Sequence, residues 1–361
     1  MKKKIKLFEP VIDSTEKKAI VDVLESKFWA SGSGTGFVSK FEQEFKKYTK
    51  SDTCVAVNSG TAALNLALSL FNIKNKEVIL PSMSFVSTAH AIVENGGKPV
   101  FVDIDANTLC IDPNKIRAKI SKNTVAIIPV HFGGMPCEMD EILKISKKFN
   151  LDIIEDAAHA VGTKFHKKRI GSHGTAVFFS FHPVKNLAMP TGGLIAINHK
   201  NSTKFQKILF SRRWCGITNR NDTNYDVKEL GWNYYMNEFS AVIGLEQLKK
   251  LEKLNKMRKN IAKQYFNKIN IESKMPFEEN CSYHLYWILI KNRHKFRERL
   301  YKNGIETGTH YKPIHLMSMY KKNNSLPITE SVGKQIVTIP IHPNLKDFEI
   351  RKIIKCINKF S

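Results

Sequence analysis

The sequence predicts an α/β protein: a larger unit built on a mostly parallel sheet, followed by a smaller C-terminal α+β unit. Three observations carry this expectation. From about Thr53 to Ile197, short β-branched runs alternate with longer helical periods, a pattern that produces parallel sheets covered on both faces. A long helical pattern then runs from Asn237 to Lys259 through Leu245, Leu248, Leu251 and Leu254. Beyond it the texture changes to short, mixed segments. The boundary is placed near residue 250, giving units 1–250 (with the N-terminal segment) and 251–361.

The elements follow in order. Cys54–Val57 reads as a buried strand, and Thr61–Leu70, with Leu at helical spacing, as a helix. Glu77–Leu80, Pro99–Val102 and Thr124–Val130 read as further buried strands. Met139–Lys148 is a helix and Leu151–Ile154 a strand; Val177–Phe181 and Leu194–Ile197 complete the set. In the smaller unit, His284–Ile290, Phe296–Asn303 and Val337–Ile339 are the ordered segments, and Asp347–Phe360 is a closing helix.

With 361 residues, 42% hydrophobic and 10% aromatic, the chain can bury a real core, so global disorder is excluded. Subtracting 33 Asp+Glu from 57 Lys+Arg leaves +24, which raises nucleic acid as a partner. The basic residues are, however, scattered in doublets such as Lys17-Lys18, Lys147-Lys148 and Lys249-Lys250, or mixed with Asn as in Lys74-Asn75-Lys76 and Lys321-Lys322-Asn323-Asn324. This favours a field attracting an anionic metabolite over a nucleic-acid stripe. Six cysteines form no Cys-x-x-Cys pair, arguing against zinc and against a disulfide scaffold; no metal is expected. No apolar stretch follows Met1-Lys2-Lys3-Lys4 and no run spans a membrane. The expectation is a reduced, cytoplasmic protein.

In parallel sheets, ligands sit beyond the carboxyl ends of the strands. Asn58-Ser59-Gly60-Thr61-Ala62 follows one strand and opens a helix. It suits phosphate, through unpaired N–H groups and the helix dipole, and equally a plain helix cap. Glu155-Asp156-Ala157-Ala158-His159 follows another strand, offering either an N-cap or a functional acid. Ser180-Phe181-His182-Pro183-Val184-Lys185 ends a third, placing a lysine in apolar surroundings where desolvation keeps an amine nucleophilic. A phosphate turn, an acid and a lysine are together the three attachments of a pyridoxal phosphate site.

The chain resembles the DegT-type nucleotide-sugar aminotransferases, pyridoxal-phosphate enzymes of aspartate aminotransferase fold (fold type I). The resemblance covers nearly the whole chain. Its motifs run from Gly36 to Phe45 through Ser59-Gly60-Thr61-Ala62-Ala63-Leu64 and Pro81-Ser82-Met83-Ser84-Phe85-Val86-Ser87-Thr88. Val102-Asp103-Ile104-Asp105, Pro129-Val130-His131-Phe132-Gly133-Gly134, Glu155 to Ala160 and Ser180 to Asn186 follow. Gly231-Trp232-Asn233-Tyr234, Gln247-Leu248, Gly304-Ile305 and His310-Tyr311-Lys312-Pro313-Ile314-His315 close the series. Each motif is weak alone; their common order is specific.

The resemblance implies a seven-stranded-type sheet in the large unit and pyridoxal 5′-phosphate as cofactor, passing through its pyridoxamine (PMP) form. It implies that Lys185 holds the cofactor and moves the substrate proton, and that Asp156 keeps the ring nitrogen protonated. Ser59, Gly60, Thr61 and Ser180 would bind the phosphate, joined by Asn233 from the neighbouring subunit of a homodimer with shared sites. His159 would lie close to the cofactor ring and Phe85 would stack on it. His310, Tyr311 and His315 would line the sugar side, with His182 and Arg213 also placed among the substrate-binding residues.

The implied reaction moves an amino group from an amino acid, by analogy L-glutamate, to a keto-deoxysugar, most naturally nucleotide-linked, for cell-surface polysaccharide or glycoconjugate synthesis. A non-nucleotide keto sugar or cyclitol is the alternative acceptor. Related sugar dehydratases carry a histidine where this chain has Lys185, which disfavours that activity, and the intact anchors disfavour a non-catalytic basic binding protein. Two departures touch the substrate entrance: Ala188-Met189-Pro190-Thr191 precedes Gly192-Gly193, and Trp214-Cys215-Gly216 follows Arg213.

Overall fold

The computed structural model describes residues 4–321 and 324–361. Met1–Lys3 and the Lys322–Asn323 part of the lysine-asparagine run lie outside the described residues. Seven strands form the central sheet: β1 Thr53–Val57, β2 Glu77–Pro81, β3 Lys98–Val102, β4 Thr124–Ile127, β5 Asp152–Asp156, β6 Ala176–Ser180 and β7 Gly193–Ile197. Their spatial order is β1-β7-β6-β5-β4-β2-β3, with β7 antiparallel to both neighbours and the rest parallel. This is the mixed α/β class expected, with every expected strand of the larger unit present.

The continuous apolar runs have a direct cause. Val55 and Val57 of β1 face one core, with the helix Gly60–Leu68, while Cys54 and Ala56 face another, with the helix Phe37–Thr49. In β6, Ala176 and Phe178 face the first core and Val177 and Phe179 the second. Both faces are covered, so alternation disappears. β4 stops at Ile127 rather than Val130. Pro129 cannot donate to a ladder, although its carbonyl still accepts from Asp156 N at 2.8 Å.

A helix of 31 residues, Glu238–Lys268, packs against the helices Ser14–Ser26 and Phe37–Thr49. Residue 250, near the expected boundary, lies inside it. The following segment pairs Tyr286–Leu289 antiparallel with Ile336–Ile339 and closes on the helix Asp347–Phe360. Ile5 pairs with Ile305, its N–H donating to Gly304 O at 2.8 Å, so the first described residues join this C-terminal packing. Among the described residues, the sequence reading passed over six helices: Ser14–Ser26, Phe37–Thr49, Ser87–Glu94, Pro113–Arg117, Ser202–Arg213 and Pro327–Gln335. Among the described residues, no helix is long and apolar enough to cross a membrane.

Candidate active site

The carboxyl ends of β1, β5 and β6 converge on one cavity of about 370 Å³. After β1 comes Ser59, the N-cap of the helix Gly60–Leu68, whose Oγ accepts from Ala62 N at 3.1 Å. The plain cap is present, and it leaves the phosphate expectation open. The cap uses Ser59 Oγ, while the N–H groups of Gly60 and Thr61 belong to the first turn, where no intrahelical carbonyl is available. Ser180, ending β6, sits directly opposite: a Cβ on Gly60 would lie 2.6 Å from Ser180 Cβ and 2.8 Å from its Oγ. Only glycine permits this approach.

Asp156 ends β5 and is buried. Its Oδ2 accepts from Thr88 Oγ1 at 3.0 Å, and its Oδ1 from Ala158 N at 3.1 Å. Thr88 is itself 2.8 Å from Ser84 Oγ. Burial pushes the Asp156 carboxyl up, opposed by the Ala158 and Thr88 hydrogen bonds and by the charge of Lys185. Lys185 is partly buried in the turn after β6, where desolvation brings its amine down to about 8 against the pull of Asp156. The acid and the base therefore face one cavity, and burial drives each toward its neutral form.

His159 is buried on the wall of this cavity. Gly133 N donates to its Nδ1 at 3.2 Å, so the neutral ring carries its proton on Nε2, 3.1 Å from the Tyr311 hydroxyl. Burial, then the charges of Lys185 and His310, holds its pKa well below the usual histidine value. His310 and Tyr311 line the cavity with His182. His310 is brought down to about 4, chiefly by burial, and its Nδ1 is 2.8 Å from Thr338 Oγ1. Phe85 also lines the cavity and is 56% exposed, which separates it from a core aromatic; its ring is 6.0 Å from that of Tyr311.

Two expected substrate residues are corrected. Arg213 is fully buried away from the cavity, its Nη1 2.6 Å from Glu42 and 2.9 Å from Ala56 O, and its Nη2 3.1 Å from Ser33 O. Every contact is to the fold, and no exposed surface remains for a substrate. His315 is also buried outside the cavity, with Nδ1 2.6 Å from Ser82 Oγ and Nε2 3.3 Å from Glu330; it pins a turn against the end of β2. Asn233 is exposed and does not line its own chain's cavity, although its carbonyl accepts from Asn58 Nδ2 at 3.1 Å beside the helix start. Of the two departures, Thr191 and Gly192 reach the cavity lining, whereas Trp214 to Gly216 do not. Thr88, which cradles the acid, was given no role by the sequence reading; no local signal marks it.

A helix N-terminus approached closely by Ser180, a buried carboxylate and a desolvated lysine around one cavity are the donor set that pyridoxal phosphate needs, and the residues present fit it. A model of the DegT/DnrJ/EryC1/StrS aminotransferase family matches residues 10–358. The chain belongs to that family. SpsC of Bacillus subtilis, a spore coat polysaccharide biosynthesis protein, is 33% identical over 96% of this chain and 95% of its own. Helicobacter pylori PseC, an aminotransferase involved in pseudoaminic acid biosynthesis, superposes with a TM-score of 0.92 at 28% identity, over 99% of both chains. The putative sugar aminotransferase Spr1654 of Streptococcus pneumoniae is solved in PLP and PMP forms. Each superposes with a TM-score of 0.92 at 27% identity, over 99% of this chain and 98% or 97% of that one. This family member is accordingly a pyridoxal-phosphate-dependent aminotransferase of fold type I.

Proposed function

We propose that the enzyme transfers an amino group from an amino acid, L-glutamate in our reading, to the keto group of a nucleotide-linked deoxysugar. Its product would serve cell-surface polysaccharide or glycoconjugate synthesis, and the enzyme would work in the cytoplasm as a homodimer. The observation that carries the reading is the meeting of Lys185, Asp156 and the Ser59–Thr61 helix start around one cavity. The sugar assignment draws on PseC and on Spr1654, whose acceptor class is carried over to this chain. A free keto sugar or cyclitol is the alternative acceptor.

Pyridoxal phosphate, when bound, supplies an electron sink for the bond electrons released at the substrate carbon. Lys185 would attach it and carry the proton at Nζ; an amine near 8 is partly unprotonated at neutral pH, as a general base must be. Asp156 would hold the ring nitrogen, and its bonds from Thr88 and Ala158 N fix the carboxylate for that task. Gly60, Thr61 and Ser180 would bind the phosphate, with Asn233 of the partner subunit reaching it. His159 and Phe85 would flank the ring, while His182, His310 and Tyr311 would orient the acceptor.

Borohydride treatment of the loaded protein should fix the cofactor on Lys185, and Lys185→Ala should keep the fold while abolishing amine transfer; retained turnover would refute the assignment. Keto-sugar nucleotides, free keto sugars and cyclitols, each supplied with glutamate and read by product mass, separate the two acceptor classes. Mixing Lys185→Ala with Asn233→Ala subunits should restore activity, and the shared-site arrangement fails if it does not.

A further inference from the structure

A row of rings runs from the N-terminal segment into the cavity wall. Phe8 stacks on His284, with centroids 5.5 Å apart and an interplanar angle of 14°. His284 lies 4.5 Å from His159, and His159 is near-parallel to Tyr311 at 6.1 Å and 20°. His284 is buried, does not line the cavity, and its Nδ1 is buried without a hydrogen-bond partner among the described residues. Its backbone neighbours grip the same region: Ser282 Oγ donates to His159 O at 3.2 Å, and Ser282 O accepts from Asn186, next to Lys185, at 2.8 Å.

We infer that His284, backed by Phe8, is a positioning residue that holds the His159 ring against the cavity. The inference rests on the reading of His159 as a residue that flanks the cofactor. A side chain with an unmet ring nitrogen is costly in a core, so its place needs a reason beyond filling space, and the His159 ring is what it touches on the cavity side. Burial first disfavours protonation of both rings, then the charges of Lys185 and His310, joined at His284 by His159 and Arg258; the Tyr311 hydroxyl, 3.1 Å from His159 Nε2, is the other titratable group in contact with the pair. Two neutral rings can therefore pack in direct contact, here tilted by 39° to one another. This leaves His159 with one tautomer, fixed by Gly133 N on one side and free to donate to Tyr311 on the other.

The test is nitrogen-resolved NMR of the histidine rings in cofactor-free protein, where function plays no part. Wild type should show His159 as a single neutral Nε2–H tautomer across pH 5–8. His284→Ala should mix the tautomers and raise the His159 midpoint toward the ordinary value of about 6.5, whereas His284→Phe, which keeps a stacking ring, should preserve the wild-type signals. In loaded enzyme, His284→Ala should lower kcat by about 10- to 100-fold, the range a misplaced group costs, with the donor KM little changed. Unaltered His159 signals in folded His284→Ala overturn the inference, as does His284→Phe behaving like the alanine variant. Should the alanine variant not fold, Phe8→Leu takes its place with the same expected shift and the same refuting result. Failure of borohydride to label Lys185 in wild type would refute the proposed function while leaving the NMR outcome interpretable.

Discussion

Arg213→Met separates the role expected of that residue from the one its surroundings give it. The guanidinium makes an ion pair with Glu42 at 2.6 Å and donates to Ala56 O and Ser33 O at 2.9 and 3.1 Å. Removing it leaves a buried Glu42 held only by Ala56 N at 2.8 Å. Breaking one partner of such a pair costs about 3–5 kcal/mol, and that is the expected loss in urea unfolding near pH 7.

The pH dependence follows from Glu42. Burial already raises its carboxyl above the ordinary value, with the Arg213 charge opposing, and the variant removes the opposition. A carboxyl with a raised folded pKa favours the folded state at low pH and loses that contribution as pH rises from its unfolded value of about 4.3 through its folded one. The deficit of Arg213→Met should therefore be smallest near pH 4.5 and grow toward neutrality. Glu42→Gln/Arg213→Met should recover about 2 kcal/mol, since no charge is then stranded. Whatever folded variant remains should bind substrate with an unchanged KM. A loss under about 1 kcal/mol, a deficit indifferent to pH, or a KM rise confined to the keto substrate would each refute the structural assignment.

Two further outcomes follow from the site. Lys185→Met should stabilise the cofactor-free protein at pH 7 by about 1–3 kcal/mol in denaturant unfolding. Its amine falls from 10.5 to about 8 on folding, a cost present below pH 8 that disappears as pH rises through 10.5, so the gain should vanish in alkali; a destabilised variant contradicts the shift. Thr88→Val removes one donor to the Asp156 carboxylate and should weaken cofactor affinity about 10-fold by absorbance titration, the worth of one hydrogen bond to a charged group. Unchanged affinity would mean that Ala158 N alone suffices to orient the acid.

The central sheet was legible because its strands are buried on both faces and so stand out as apolar runs between helical periods. Helices such as Ser14–Ser26 were not, because so few of their residues are inward: Glu16, Ala19 and Val23 are buried, while Val21 and Leu24 point outward at 47% exposure each. In the site, the positions of residues at or just after strand ends could be read from the chain's own path: Ser59, Asp156, Ser180 and Lys185 all line the one cavity. Arg213 and His315 were misplaced because proximity in sequence to an expected substrate entrance says nothing of side-chain direction. Thr88 and His284 were invisible for the converse reason: each acts on a residue 68 or 125 positions away (156 − 88; 284 − 159), across contacts that only folding creates.

Little of the +24 charge lies in the cavity lining. Of the residues lining it, Lys185 is the one non-histidine base, and its amine is already brought to about 8; His159 and His310 are held neutral by burial. A bound phosphate would therefore be met within this chain chiefly by neutral donors: the first-turn N–H groups after Ser59 with their half-charge of about +0.5, and the hydroxyls of Thr61 and Ser180. A doubly charged group held this way is under-compensated, so a further donor from outside the chain would tighten it. A neutral amide, as proposed for Asn233 of a partner subunit, would supply that donor without adding a cation that would drive the Lys185 amine pKa lower still. The same economy fits the uncharged imidazoles of the wall beside Lys185: each positive charge placed there would oppose the protonated amine that Lys185 would become in the proposed role of taking a proton from the substrate.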